Sequence, residues 1–428
     1  MSKVNILLLT NRDSDNVGDQ IIEASVISLL KGVMRNLGFA GHEFQISTRA
    51  AGIISRKYMS TGDPKLLAGA RKAISAADVI VFGGAPLFNY KYQNFYLRTI
   101  KTLELAREYD VPVIFSSIGI EPFDPENKKS LALKEALATS GVRQLTTRDD
   151  LDSARRYMEG TGVPVAHVSD PAVLADIVFG EVPPVKPRGE APKKRVGLVV
   201  TRAGIFRDNG IAFTEDDQRK FWLNTMKDLE QRGYEVRLFT TGHFSDEVFL
   251  DSMVRADGVP LSKVAVTVNS PEELIGELAH CDGVIAYRLH ASITSFAYEI
   301  PSVGLSWNFK VPYFYESVGY GHRALPPARW NSTEVVGALE SAMAEGVQKD
   351  ETFLMSVYDT LFAGLKGVFA PDSDASPYTL AQLAVKMPRY AGTDAAQYKK
   401  KVETKLRRTY ENYQKFSKYF LGDEGKKP

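Results

Sequence analysis

The sequence predicts an α/β protein: two Rossmann-like domains facing a cleft, followed by a C-terminal helical extension. Three observations carry this expectation. Short aliphatic or β-branched runs alternate with longer segments of helical period along most of the chain. The strand-like runs do not alternate in polarity, which fits a parallel sheet with helices on both faces. The rhythm is interrupted by one segment rich in Pro, Gly and charge, "GEVPPVKPRGEAPKKR" (180–195), and then restarts.

In the first half, "NILLLT" reads as a strand, and "QIIEASVISLLKGVMRNLG" as a helix closed by Gly38. "FQIS", "ADVIVFGG", "PVIFSSIGI" and "RQLTTR" supply further strands, and "LRTIKTLELAREY", "SLALKEALATSG" and "DDLDSARRYMEG" further helices. A domain over 1–180 and a linker over 181–194 follow. In the second half, "VGLVVTR", "YEVRLFTTG", "VAVTV", "GVIAYR" and "SVGLSW" are the expected strands, separated by helical segments. One of these opens with "SPEE", where Ser270 is the N-cap and acidic residues occupy the first turn. The second domain is assigned to 195–331 and the helical extension to 332–428. The last segment places Val402, Leu406, Tyr410, Tyr413, Phe416 and Phe420 three or four apart among Lys and Arg. That face either packs onto the core or lies on an anionic membrane as a basic amphipathic helix.

Composition narrows the partners. The 428 residues suit domains of roughly 100 to 200 residues each. Lys and Arg (53) nearly balance Asp and Glu (52), so no global field recruits nucleic acid and a partner must be recognised locally. A single cysteine, Cys281, excludes an intramolecular disulfide framework. With no signal-peptide core and no apolar stretch of about 20 residues, a cytoplasmic location is the expectation.

In open α/β sheets, ligands bind beyond the carboxyl ends of the strands, beside helix N-termini. Gly18 and Asp19 stand at such a place after the first strand, and Gly83 and Gly84 at another, where backbone amides could approach an anion. A helix cap and a tight turn are the structural alternatives. Arg148 ends the strand "RQLTTR"; its planar fork suits a carboxylate or phosphate, unless it pairs with Asp149 or Asp150. Asp170, before a proline, reads as a turn former. Arg288 and His290 end the strand "GVIAYR", and Lys310 follows the next strand. Together these three would form a cationic pocket with one titratable group, suited to an anionic donor and proton transfer. The histidines are not at metal-ligand spacing, there is no cysteine pair, and neither a GxSxG elbow nor a P-loop pattern is present.

Taken in order, "NVGDQII", "VIVFGGAPLF", "SIGIEPF", "TTRDDLDSARRYMEGTGV", "VSDPAVL" and "YRLHASITSFAYEIPSVGLSWNFK" resemble the polysaccharide pyruvyl transferase family, over about residues 5 to 312. Trp307 stands where the family more often has tyrosine. The resemblance implies a GT-B-like fold and transfer of the pyruvyl group of phosphoenolpyruvate to two hydroxyls of a sugar, giving a cyclic ketal and phosphate. It implies no metal and no cofactor beyond that donor substrate. On it, His290 is expected as general acid and Asp19 as base or acceptor-orienting group. Arg148, Arg288 and Lys310 would hold the donor's anionic groups, together with amides near Gly18, Gly83 and Gly84. The acceptor would be a sugar or lipid-linked oligosaccharide, with possible peripheral contact at the inner face of the membrane through the C-terminal helix. The alternative is a glycosyltransferase of the same architecture using a nucleotide sugar. Retaining members of that class pair two glutamates eight apart; here Glu299 has Ala291 at the upstream place, which leaves the inverting kind.

Overall fold

A computed structural model describes residues 3–12, 16–91, 95–183, 193–202, 204–396, 398–399, 402–403 and 405–407. Strands β1 (Val4–Thr10), β2 (Phe44–Ala50), β3 (Val79–Gly83), β4 (Val113–Ile118), β5 (Val142–Thr147) and β6 (Val165–His167) form a six-stranded sheet in the order β2-β1-β3-β4-β5-β6. Strands β7 (Arg195–Val199), β8 (Glu235–Phe239), β9 (Gly283–Ala286), β10 (Ser302–Leu305) and β11 (Ala324–Leu325) form a second sheet in the order β11-β10-β9-β7-β8. Every paired strand in both sheets runs parallel. All carboxyl ends of one sheet therefore lie on one edge, and the loops there carry the candidate residues.

Helix α1 (Val17–Asn36) explains how the two halves meet. Its sequence is apolar on nearly every side, and Ile21, Ile22, Val26, Leu29, Leu30 and Val33 are all buried. A helix of that kind needs packing partners all round. It joins Ile6 and Leu8 of the first sheet to Val284, Ala286 and Ala291 of the second half in one apolar cluster. At about 1.5–3 kcal/mol per fully buried aliphatic side chain, this shared core holds the cleft closed around the N-terminus of α1. A direct backbone bond crosses the same place, from Val17 N–H to the Thr241 carbonyl at 2.8 Å.

One element differs from the sequence expectation. "VAVTV" (264–268) forms no ladder strand; its β pairing is one isolated bridge, Leu238 to Val264, and Val266 is 73% exposed. With no strand beyond it to pair with, the run stays out of the ladder although Val268 is buried, so its strand propensity goes unused. The helical extension after residue 332 packs back onto both sheets. Ser332–Glu345 packs on the second sheet, whereas Glu351–Phe369 returns to the first, where Gln144 Nε2 donates to the Thr360 carbonyl at 2.9 Å.

Most of the linker, residues 184–192, lies outside the described residues, as do Tyr410, Tyr413, Phe416 and Phe420. The tail that is described is held by polar contacts. Thr393 donates through N–H and Oγ1 to Glu272 at 2.7 and 2.9 Å, and Lys405 pairs with Glu247. Leu406 is 61% exposed. Among the described residues, no helix is long and apolar enough to cross a membrane.

Candidate functional site

The N-terminus of α1 forms one wall. Asn16 is its N-cap, with Oδ1 accepting from Gly18 N–H at 3.2 Å, as expected for Asn in that role. Its Nδ2 reaches across the interface to His290 Nδ1 at 2.9 Å. Gly18 is pressed against the same ring: a Cβ there would lie 2.2 Å from His290 Cβ. The glycine thus permits a close approach of the two halves. Asp19, also buried, accepts from Asn11 Nδ2 at 3.2 Å and has Oδ1 3.9 Å from His290 Nε2.

The opposite wall is the start of the helix Leu289–Ala297, where Arg288 occupies the N-cap position and His290 the first turn. A helix N-terminus disfavours cations, so placing Arg288 there runs against the local electrostatics and needs an anion nearby. Asp246 is that anion. It is fully buried, and accepts from Arg288 Nε at 2.7 Å and Nη2 at 2.8 Å, from Thr201 Oγ1 at 3.2 Å and from Arg202 N–H at 2.9 Å. Burial alone would push the Asp246 carboxyl up; the Arg288 charge overrides it and holds the group below the usual carboxylate range.

The floor comes from the first sheet. A register irregularity near the end of β4 puts Ser117 at φ 52°, and the loop that follows brings Glu121 inward. Glu121 is buried, with Oε2 accepting from Tyr90 and Lys91 N–H at 2.9 Å each. Arg148, at the end of β5, pairs with neither Asp149 nor Asp150 but with Asp170, which also caps a 3-10 turn through Ala172 N–H at 2.8 Å. Asp150 caps the helix Leu151–Met158, whereas Asp149 turns inward and accepts from Ile120 N–H at 3.0 Å.

Lys310 begins the helix Lys310–Ser317. Burial lowers its pKa, against the raising influence of Asp149, Glu121 and Asp19. Burial likewise pushes the Asp149 carboxyl up, opposed by Lys310 and Arg148. His290 lies well below the ordinary histidine range, first through burial and then through the charges of Arg148, Lys310 and Arg288. Burial and all three cations therefore act on a single imidazole, which they hold neutral. A small cavity between the halves is lined by Arg148, Asp149, Asp170, Leu289, Ile293 and Lys310. A larger groove, about 810 Å³, runs along the edge strand β2, away from these residues.

His290, Asp19, Arg148, Arg288 and Lys310 thus converge, and Gly18 packs within them. Gly83 and Gly84 have another explanation. Cβ atoms on them would meet Val26 Cγ1 at 2.8 Å and Ile22 Cγ2 at 2.3 Å on α1, and Gly84 N–H already donates to the Ser116 carbonyl at 3.0 Å. Four neighbouring residues have no site role in the sequence reading: Asn16, Glu121, Asp149 and Asp246. Asn16 carried a signal, since it stands in N-cap position before Val17 and Gly18. Among the described residues, no group of three or more His, Cys, Asp or Glu side chains is placed to hold a metal ion.

Known structures share the architecture. The chain is similar to the UDP-GlcNAc 2-epimerase from Methanocaldococcus jannaschii, at 13% identity and TM-score 0.52 over 84% of this chain and 98% of that one. It is also similar to a putative UDP-N-acetylglucosamine 2-epimerase from Listeria monocytogenes, at 10% identity and TM-score 0.54 over 88% of this chain and 100% of that one. At such identity the likeness concerns the GT-B fold of two Rossmann-like halves alone. No curated protein matches the sequence. The model of one family, polysaccharide pyruvyl transferase, matches residues 16–308, a span that runs from the Asn16 cap to the segment just before Lys310, and the chain belongs to that family of transferases.

Proposed function

We propose that the protein transfers the pyruvyl group of phosphoenolpyruvate to two hydroxyls of a sugar, within a polysaccharide or a lipid-linked precursor. The observation that carries this reading is the convergence of Arg148, Arg288 and Lys310 on His290. A donor with both a carboxylate and a phosphate needs several cations, and its chemistry needs one proton donor beside them.

The residues divide the work as follows. Arg148 and Arg288 attract the donor's two anionic groups with the N–H groups that Asp170 and Asp246 leave over, with Lys310 neutralising charge between them. Bound anions offset the cations that depress His290, so the ring gains a proton when the donor is in place. His290 gives that proton to the methylene carbon C3 as the double bond's electrons move there, leaving C2 electron-poor. A sugar hydroxyl, oriented by Asp19, forms a bond to C2 and loses its proton. The C2–O bond to phosphate then breaks, and the second hydroxyl closes the ketal. Of the two protons released by the hydroxyls, one restores His290 and one leaves with phosphate. The reaction written this way uses no metal and no cofactor, and its acceptor would be reached from the cytoplasmic side.

Thermal unfolding with phosphoenolpyruvate, set against a panel of nucleotide sugars, tests the reading. A ligand at about 100 times its dissociation constant adds roughly 2.7 kcal/mol. Stabilisation by phosphoenolpyruvate alone is expected; stabilisation by a nucleotide sugar instead would make this a glycosyltransferase site.

A further inference from the structure

The side chain of Asn16 is engaged at both ends, and that fixes more than the start of a helix. Its Oδ1 accepts from Gly18 N–H at 3.2 Å. A backbone N–H can only donate, so the oxygen must face it and the amide cannot be exchanged end for end without losing the cap. The other end, Nδ2, then meets His290 Nδ1 at 2.9 Å. An NH₂ group also only donates, so Nδ1 is the bare nitrogen and the ring's one proton sits on Nε2. Gly18 lies against the ring on the same side, leaving it no room to withdraw toward α1.

We propose that Asn16 sets the proton state of His290, holding the ring in the Nε2–H form while the cleft is empty and turning to offer its oxygen to Nδ1 when the donor arrives. The inference rests on the reading of His290 as the proton donor. Turning the amide gives up the Gly18 bond, so it is favourable only once a second proton on the ring has become favourable. The charged and titratable groups around the ring agree. Arg148 from β5, Lys310 from the helix Lys310–Ser317 and Arg288 from the ring's own helix all oppose that proton. Among the described residues, Asp19 on α1 is the carboxylate within 4 Å of the ring, with Oδ1 3.9 Å from Nε2. An anionic donor neutralises the three opposing cations at once. The extra proton comes from solvent and leaves with C3 of the donor. Asn16 is therefore a positioning residue, acting through His290 from the opposite domain.

The test is the ring nitrogen spectrum of the full chain labelled with ¹⁵N-histidine, with His290 assigned by its loss in His290→Gln. In the donor-free wild type, Nδ1 is expected bare and Nε2 protonated, and phosphoenolpyruvate is expected to raise the pH at which the second proton binds. Asn16→Asp caps the helix equally well but presents an oxygen to Nδ1. It should take up the second proton without donor, at a pH roughly 1 unit above wild type, as an anion in hydrogen-bond reach requires. Asn16→Ser keeps the cap but is too short to reach His290, and should lose the tautomer preference with little change in unfolding temperature. A wild-type ring protonated on Nδ1, or an Asn16→Asp ring that titrates like wild type, would overturn the proposal. Should Asn16→Asp not fold, the wild-type spectrum and Asn16→Ser decide. Failure of the donor reading looks different: phosphoenolpyruvate would then move neither the His290 titration nor the unfolding temperature, while the donor-free tautomer would stand.

Discussion

Asp246 receives the Arg288 guanidinium at two points, Nε to Oδ2 at 2.7 Å and Nη2 to Oδ1 at 2.8 Å, across 42 residues of sequence. The pairing changes how Arg288 must be tested. Arg288→Ala strands a fully buried carboxylate, and removing one partner of such a pair costs about 3–5 kcal/mol. Lost donor binding in that variant would say little, because lost folding would produce it too. Arg288→Lys keeps the charge but not the fork. It is expected to lose less stability in urea than Arg288→Ala, while the thermal shift with phosphoenolpyruvate falls by more than half. An undiminished shift would remove Arg288 from the donor site.

Gly18 offers a test of closure. Alanine is the best helix former, and Gly18 has no positive φ, so Gly18→Ala favours α1 on local grounds. Its Cβ would nonetheless fall 2.2 Å from His290 Cβ, so the ring or the whole second half must move. A displacement on the order of 1 Å can cost about 10²-fold in rate. The expected outcome is a folded protein with phosphate release from phosphoenolpyruvate reduced by about that factor. Full turnover would show that His290 need not stand against α1 during the reaction.

The depressed proton affinity of His290 has a consequence for stability. Its unfolded counterpart binds a proton near pH 6.5, whereas the folded ring does so only at lower pH. As pH falls from about 7.5 to 5, the unfolded state takes up a proton that the folded state refuses, so stability is full above that window and declines within it. His167, also lowered chiefly by burial, contributes a slope of the same sign. Comparing urea unfolding of wild type and His290→Gln isolates the first group: the variant's slope should be shallower below pH 6.5 and the two should run parallel above pH 7.5. Saturating phosphoenolpyruvate should flatten the wild-type slope. Equal slopes throughout would mean that His290 is not held neutral.

What the sequence revealed follows the reach of local signals. β1, β3, β4, β7 and β9 are apolar runs ended by turn residues, and the period of α1 is plain. Arg288, His290 and Lys310 were legible because each follows an apolar strand, where a parallel sheet delivers its ligands. Asp246 was not: it reads as an ordinary acidic residue in a helical first turn, and only the fold brings it beneath Arg288. Glu121 was hidden for a similar reason, since its position depends on the irregular end of β4. "VAVTV" misled in the other direction, carrying strand propensity without a partner on its outer side. Pairings between residues far apart in sequence leave no periodic trace in either partner.

The glycines after β3 separate a packing role from an anion-binding one. A Cβ on Gly83 would lie 2.8 Å from Val26 Cγ1 and 3.2 Å from Leu8 Cδ1, at an ordinary φ, so the obstacle is steric alone. Gly83→Ala should therefore cost about 1–3 kcal/mol through overpacking between the sheet and α1. Val26→Ala in the same chain removes the opposing methyls and should recover most of that loss relative to Val26→Ala alone, a coupling that a double-mutant cycle in urea reads directly. If the glycine instead serves to bring a backbone amide to an anion, the pattern inverts. Stability would barely change, Val26→Ala would rescue nothing, and the phosphoenolpyruvate-induced thermal shift would be lost. The close contact with Val26 and the bond from Gly84 N–H to Ser116 favour the first outcome, in which Gly83 and Gly84 let α1 lie near enough to the sheet to carry Asn16 and Asp19 to His290.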